Sequence, residues 1–162
     1  ILIPLLEKLA DYRVDIKFDI SIIGYTNNIE NNLKDNLKIY CPSKLVSEEV
    51  LIKQYLKADI FISTSIAEGF GIPLLDALLF GINCLATDIP SYIEIKNFYD
   101  FKNLTLIPSM SDLEEYIKQI NILINKNLVT DKYTKYDIYS KNYKRIYKNS
   151  QKNILKFLEK LC

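Results

Sequence analysis

The run Glu68-Gly-Phe-Gly-Ile-Pro-Leu-Leu-Asp76 decides how the chain is interpreted. It follows an apolar, β-branched stretch, residues 58–64, that predicts a buried strand. It runs into residues 73–80, a predicted helix with Pro73 at its first position and a glycine just past its end. Two glycines before a helix let the backbone approach a ligand closely. The free N–H groups and the dipole at the helix start then favour a phosphate at this point.

The two acidic residues of the run would lie on either side of such a phosphate along the chain. Carboxylates accept hydrogen bonds from vicinal hydroxyls, so Glu68 and Asp76 suit a sugar ring and a ribose. Two structural alternatives stay open: an ordinary loop-to-helix junction, and Asp76 as an acid that serves the helix dipole. Phe70 is expected in the core rather than stacked on a ligand.

The rest of the chain alternates strands with helices. Predicted strands cover residues 18–24, 37–41, 58–64, 82–87 and 104–107. Predicted helices cover residues 1–13, 47–57 (N-cap Ser47), 73–80, 91–96, 111–124 (N-cap Ser111), and a tail from about residue 131 that is expected to break near Asn149-Ser150. This order predicts an α/β fold, a doubly wound, Rossmann-like parallel sheet of five neighbouring strands with helices on both faces. Ligands bind such sheets beyond the carboxyl ends of the strands.

Composition narrows the class of protein. The 162 residues suit one domain, and the absence of histidine excludes Ser-His and Cys-His nucleophile systems. Three cysteines without CxxC spacing argue against a disulfide framework or a zinc site, so no metal is expected and a reducing cytoplasm is favoured. Neither a signal peptide nor a membrane-spanning run is expected, and the missing initiator methionine suggests a fragment.

The tail differs in charge from the body. Residues 126–162 carry ten basic and three acidic side chains, a net charge of +7, within a chain of net charge +1. Its tyrosines form a helical stripe: Tyr133, Tyr136, Tyr139, Tyr143 and Tyr147. This stripe is expected to pack on its own domain. Nucleic-acid binding is not expected, because no nucleic-acid motif accompanies the basic face.

The run from Glu68 to Asp76 resembles the EGFGLPLLEA signature of the group-one, GT-B-fold retaining glycosyltransferases. Residues 81–94, Gly-Ile-Asn-Cys-Leu-Ala-Thr-Asp-Ile-Pro-Ser-Tyr-Ile-Glu, are similar to that family's next segment, GVPVIASDIP…E. The resemblance is convincing over residues 55–94, and it is weaker but collinear from residue 16 to residue 161. It implies that the chain is the C-terminal, donor-binding half of such an enzyme. It also offers a second expectation for the tyrosine stripe, that the tail crosses towards the N-terminal domain with its lysines able to meet acidic lipid headgroups.

The resemblance also implies a role for each matching residue. Glu68, the catalytic candidate, would contact the hydroxyls of the donor sugar. The backbone around it would bind sugar hydroxyls and the diphosphate, through Gly69, Phe70, Gly71, Ile72, Pro73 and Leu74. Asp76 would hold the ribose diol, and the turn at Cys41-Pro42-Ser43 would lie beside the nucleobase. The family uses no cofactor, and positive groups rather than a metal stabilise its leaving diphosphate.

The implied function is therefore transfer of a sugar, with retention, from a UDP- or GDP-sugar to a glycan or lipid-linked acceptor. Such a hexosyltransferase would make surface polysaccharide in the cytoplasm, at the inner face of the membrane if the tail binds lipid. Residues 1–162 would lack the domain's first strand, with its Arg and Lys, and the N-terminal acceptor domain, so alone they are expected to bind a nucleoside diphosphate weakly and transfer no sugar. Asp76 in place of the usual Glu, and Gly24-Tyr25-Thr26 without a second glycine, keep a second hypothesis open: a non-catalytic module that binds a nucleotide or a partner.

Overall fold

The computed structural model describes residues 2–23, 34–42, 44–109, 111–126 and 131–159, without the side chains of residues 132 and 150–159. The strands are β1 (Phe18–Ser21), β2 (Leu37–Tyr40), β3 (Ile60–Ser63), β4 (Asn83–Thr87) and β5 (Leu104–Ile107). The helices are α1 (Leu2–Tyr12), α2 (Glu48–Lys57), α3 (Ile72–Leu79), α4 (Pro90–Tyr99), α5 (Leu113–Ile124) and α6 (Lys132–Glu159). Each predicted element is present, and the predicted strand end at Gly24 lies outside the described residues.

The five strands form a Rossmann-like α/β fold in which every strand pair is parallel. β1 pairs with β2, and β4 lies between β3 and β5. The parallel arrangement is confirmed, but the described strands form two sheets rather than the single sheet of five that was expected. Periodicity along one strand carries no information about its edge partners, which explains why the break between β2 and β3 was not foreseen.

Helices cover both faces of the larger sheet, as predicted. Cys84 and Ala86 of β4 face one way, into a core shared with α2, α3 and α4. Leu85 faces the other way, into a core shared with α1 and α5. Successive side chains of a strand point to opposite faces, so a strand such as β4, which is buried at four successive positions, requires helices on both faces. The expected burial of Cys84 is confirmed, because its side chain has no exposed surface.

Two helix ends differ from the prediction. Asp112, not Ser111, caps α5, because its Oδ1 accepts a hydrogen bond of 3.0 Å from the backbone N–H of Glu115. α6 is continuous through Asn149-Ser150, where a break was expected. Asn and Ser cost a helix only a few tenths of a kcal/mol more than their neighbours, and no proline follows to stop it.

α6 crosses the carboxyl ends of α2 and α3 instead of standing away from the domain. The buried Lys135 Nζ donates to the carbonyls of Leu56 (3.2 Å) and Ala58 (2.7 Å) at the end of α2. Asn142 Nδ2 donates to the carbonyl of Leu79, 3.0 Å away, at the end of α3. These are terminal carbonyls that no longer have a partner within their own helix.

The tyrosine stripe of α6 is divided between two environments. Tyr139 stacks on Phe80 with 4.4 Å between ring centroids, as packing on its own domain requires. The other four tyrosines are between 54 and 74% exposed: Tyr133, Tyr136, Tyr143 and Tyr147. Packing on the domain is thus confirmed for one position of the stripe. Contact of the exposed flank with lipid stays a prediction. No helix within the described parts of the chain is long and apolar enough to cross a membrane.

Candidate functional site

The site lies where β3 ends and α3 begins. β3 ends at Ser63, and the adjacent β4 ends at Thr87, so the loop of residues 64–71 stands at the carboxyl edge of the sheet. This edge is where parallel α/β sheets bind their ligands. The loop is mostly exposed until Gly71, which is buried. The predicted residues 68–74 are therefore presented at the edge that the fold reserves for binding.

Gly71 occupies the N-cap position of α3 in a left-handed conformation, with φ of 88°. No side chain caps this helix, so the N–H groups of its first turn have no protein acceptor from a cap. The first intrahelical bond runs from the N–H of Leu75 to the carbonyl of Gly71. An uncapped helix start is suited to bind an anion, through its amides and its dipole.

The residues predicted along this segment contribute in different ways. Pro73 has no N–H and cannot donate, so backbone donors of residues 70–74 are restricted to Phe70, Gly71, Ile72 and Leu74. The side chain of Leu74 is fully buried and anchors the helix start in the core, while that of Ile72 is 62% exposed. The buried side chain of Leu74 thus anchors the segment, while its backbone N–H groups remain available to bind a ligand.

Phe70 was expected in the core, and this prediction is wrong, because the residue is 44% exposed. It borders a cavity of about 90 Å³ that is also lined by Glu94, Ile95, Phe98 and Tyr99. A loop residue has no fixed facing element, so hydrophobicity alone does not bury it. A larger cavity, of about 410 Å³, is lined by residues at the start of β5, at the opposite end of the strand from the predicted site.

Glu68 is exposed, and one of its oxygens is already held. Ser65 Oγ donates to Glu68 Oε1 over 2.8 Å. Among the described residues, Oε2 has no hydrogen-bond partner, which leaves it available to accept from a ligand hydroxyl. A carboxylate fixed at one oxygen is oriented in advance, so less conformational entropy is lost on binding. Ser65 was not among the predicted site residues.

Asp76 is half-buried in the second turn of α3 and has no hydrogen-bond partner among the described residues. Burial raises the pKa of its carboxyl, and the like charge of Glu48, at the start of α2, raises it further. Burial also raises the pKa of Tyr55, whose hydroxyl donates to the carbonyl of Pro73 over 3.2 Å, and the charge of Asp76 adds to the effect. An unpaired, partly desolvated carboxylate costs folding energy, which makes a role only as helix-dipole partner a poor account of it.

The turn after β2 is only partly described. Cys41 and Pro42 are half-buried beyond the last residue of β2, and Cys41 packs on the core beneath β1 and β2. Ser43 lies outside the described residues. Glu48 lies six residues after Pro42, and, in addition to burial, its like charge raises the pKa of Asp76. The chain beyond β2 therefore approaches α3 at its carboxylate.

Asp88, which lies in the segment similar to the family's GVPVIASDIP…E, has a structural role. Asp88 Oδ1 accepts from the N–H of Ser109 over 2.6 Å and so ties two loops together. No cluster of three or more His, Cys, Asp or Glu side chains that could hold a metal occurs within the described ranges. The expectation of a reaction without a metal stays a prediction.

Comparison with known proteins agrees with this geometry. The model of the family "Glycosyl transferases group 1" matches residues 12–152, which is most of the chain. The chain belongs to the group 1 glycosyl transferases. No curated protein and no solved structure gives a significant match. Membership of this glycosyl transferase family assigns glycosyl transfer in general, with a nucleotide-sugar donor and an acceptor as the general reactants.

Proposed function

We propose that this group 1 glycosyl transferase chain is the C-terminal, donor-binding domain of a retaining enzyme of GT-B architecture. The observation that carries the proposal is the uncapped start of α3, with an oriented carboxylate before it and a half-buried, unpaired carboxylate after it. The diphosphate of a UDP- or GDP-sugar binds the amides at the start of α3. The family match covers residues on both sides of this site.

The two carboxylates have different parts of the donor to bind. Glu68 accepts from hydroxyls of the transferred sugar, and its held position keeps the ring oriented while positive charge develops at the anomeric carbon. Asp76 accepts from the ribose diol, and a deprotonated, unpaired carboxylate is a strong acceptor for two vicinal hydroxyls. The turn at Cys41-Pro42 borders the nucleobase.

The domain arrangement is proposed on the evidence of the sheets. α1 contributes Leu9 to a core that includes Ile60 and Ile62 of β3 as well as Phe18 of β1. Ser21 of β1 also donates to Gln54 of α2 over 2.8 Å. Helices on both faces thus join the two sheets, and we place a further parallel strand of the domain between β1 and β3. An acceptor domain completes the enzyme, and the product is a surface glycan or lipid-linked glycan made at the cytoplasmic side.

Kinetics of two variants in the full-length protein test the assignment. Nucleoside diphosphate release is measured from UDP-glucose, UDP-N-acetylglucosamine and GDP-mannose, and the best donor is then varied. Glu68→Gln should lower kcat, because contacts to the reacting sugar strengthen in the transition state. Asp76→Asn should raise KM by on the order of tenfold to a hundredfold and leave kcat nearly unchanged, because the ribose contact does not change during the reaction.

The outcome separates three accounts. If Asp76→Asn lowers kcat while Glu68→Gln changes only KM, the two roles are reversed. If neither substitution changes kcat or KM, the carboxylates do not bind the donor. If the wild type binds nucleotide sugars but releases no diphosphate from any of them, the alternative of a non-catalytic binding module replaces this proposal.

A further inference from the structure

Tyr92 lies beneath both ends of the loop that carries the proposed donor site. It belongs to the first turn of α4 and is only 2% exposed. Its ring fills the space in which residue 71 would carry a side chain: a Cβ added at Gly71 would overlap Tyr92 Cε1 and lie 2.9 Å from Cδ1. The ring therefore supports the N-cap of α3 from below.

The hydroxyl of Tyr92 reaches the other end of the loop. Its oxygen lies 2.8 Å from Ser63 Oγ, at the last residue of β3. Ser63 Oγ also accepts a long bond of 3.5 Å from the N–H of Ser65. Ser65 Oγ in turn donates to Glu68 over 2.8 Å. A continuous path of hydrogen bonds thus runs from a buried tyrosine to one oxygen of an exposed carboxylate.

The base of this path is fixed from a second direction. Thr87 Oγ1, at the end of β4, donates to the carbonyl of Ser63 over 3.3 Å. Ser63 is therefore held by β4 through its backbone and by α4 through its side chain. A loop residue bonded to such an anchored group has few alternative positions, since each move would leave a buried polar atom unpaired.

We propose that Tyr92 and Ser65 are positioning residues for Glu68 in sugar binding, an inference that rests on the proposed function. Tyr92 sets Gly71 and Ser63 at a fixed separation, and Ser65 transmits the position of Ser63 to the carboxylate. The α3 amides that bind the diphosphate and the Glu68 carboxylate that binds the sugar are thereby held at a fixed relative position. Neither residue contacts the donor.

The test measures what the sugar adds to affinity, so it needs no turnover. Dissociation constants of UDP and UDP-glucose, and of GDP and GDP-mannose, are measured by NMR titration of the full-length protein. For the pair that binds, the dissociation constant of the nucleoside diphosphate divided by that of the nucleotide sugar is called the sugar increment. Ser65→Ala and Tyr92→Phe should each reduce this increment roughly threefold to tenfold, the range for one ordinary hydrogen bond, and leave the affinity for the diphosphate alone within about twofold. Ser65→Thr, which keeps the hydroxyl, should restore it.

A matched control and a double-mutant cycle separate positioning from a general loss of stability. Asn36→Ala removes the hydrogen bonds that a half-buried side chain before β2 makes to the carbonyls of Ala10, Arg13 and Ile16, and should leave the increment unchanged. In a Glu68→Gln background, Tyr92→Phe should have no further effect, because residues that act through one another are not additive. Two outcomes would overturn the inference, provided that Glu68→Gln abolishes the increment. One is that Tyr92→Phe weakens the affinities for UDP and UDP-glucose equally. The other is that the increment is unchanged in both Ser65→Ala and Tyr92→Phe. An increment that survives Glu68→Gln, or a wild type that binds neither diphosphate, contradicts the proposed function itself.

Discussion

Gly71 adopts a conformation that no other residue type could take at its position without strain. Its φ of 88° is left-handed, and the ring of Tyr92 fills the space a side chain would need. Gly69, two residues earlier, has neither constraint, since a Cβ there would meet nothing within 4 Å. The two glycines of the motif therefore have different reasons for being glycine.

These two glycines give a paired prediction about stability. Gly71→Ala should lower the free energy of unfolding by about 2–4 kcal/mol, from the left-handed backbone and the overlap with Tyr92 together. Gly69→Ala should change it by less than about 0.5 kcal/mol, as an unstrained exposed substitution does. Urea unfolding of both variants checks this. A Gly69→Ala loss equal to that of Gly71→Ala would show that the packing beneath Gly71 is not what constrains the loop.

Asp76 predicts a dependence of stability on pH. Its pKa is raised in the folded protein, so between the ordinary value and the raised one the folded state binds more protons than the unfolded state. Stability is therefore lost as pH rises through that window, and the full cost is present at neutral pH. Asp76→Asn removes this cost and should be more stable than wild type at pH 7.

Unfolding of Asp76→Asn and wild type, compared from pH 7 down to about pH 3, measures the effect. The difference should shrink as pH falls through the window, because the wild-type carboxyl then becomes protonated and neutral. Carboxyls with lowered pKa, such as those of Asp15 and Glu49, are common to both proteins and cancel. An Asp76→Asn variant less stable than wild type at neutral pH would mean that Asp76 has a stabilising partner, and that its role is structural.

Single residues also mark where prediction from sequence ended. Glu68, Gly71 and Asp76 were named from a motif that spans a helix start, and their roles in binding stay predictions. Tyr92 lies within residues 81–94, and Ser65 lies just before the motif, but neither was given a role from the sequence. Their importance depends on the contact of α4 with Ser63, 29 residues apart along the chain, which no local pattern encodes.

Among the elements, α6 shows how a basic helix is held on the domain. Lys135 is fully buried and bonds two carbonyls that end α2, although burial lowers the pKa of its ammonium group. Lys135→Met should lower the free energy of unfolding by about 1–3 kcal/mol, since these carbonyls would be left unsatisfied. Lys141→Met, on the exposed face beside Asp137, should cost less than about 0.5 kcal/mol.

Urea unfolding with hydrogen exchange of α6 amides compares the two lysine variants. Exchange in the first turns of α6 should accelerate in Lys135→Met and stay at the wild-type rate in Lys141→Met. Equal stability of the two variants would mean that the stacking of Tyr139 on Phe80 holds the helix without the buried lysine. The sequence placed this helix correctly, but it gave Lys135 the same weight as the solvated lysines around it.

The N-cap residue was predicted correctly at α2, where the sequence offers one candidate, and wrongly at α5, where it offers two. Ser47 was named as the N-cap of α2, and its side chain accepts from the N–H of Val50. At α5, Ser111 and Asp112 are both good caps, and each has a glutamate three residues later, so two overlapping capping boxes compete. Local sequence therefore could not decide between them, and in the structure Asp112 is the cap.

For the whole molecule, alternation of strands and helices was enough to predict a parallel, Rossmann-like fold with helices on both faces. The division of the strands into two sheets was not predictable, because it depends on strand edges rather than on side-chain patterning. In addition to burial, the charges of Asp76 and Glu48 raise the pKa of Tyr139, and that of Glu48 raises the pKa of Asp76, although the three residues belong to helices that are distant in sequence. The candidate residues were thus named from the motif, but the charges that surround Asp76 were not predicted from it.

The central claim is that the start of α3, between Glu68 and Asp76, binds the diphosphate of a nucleotide sugar. An NMR titration of the ¹⁵N-labelled protein with UDP and with GDP tests it residue by residue. The predicted result is that the largest amide shifts fall on residues 69–72, 74 and 76, with a dissociation constant on the order of millimolar, about 4 kcal/mol of binding energy. Saturable shifts confined to α6 or to the cavity at the start of β5, with the amides of residues 69–76 unmoved, would contradict it.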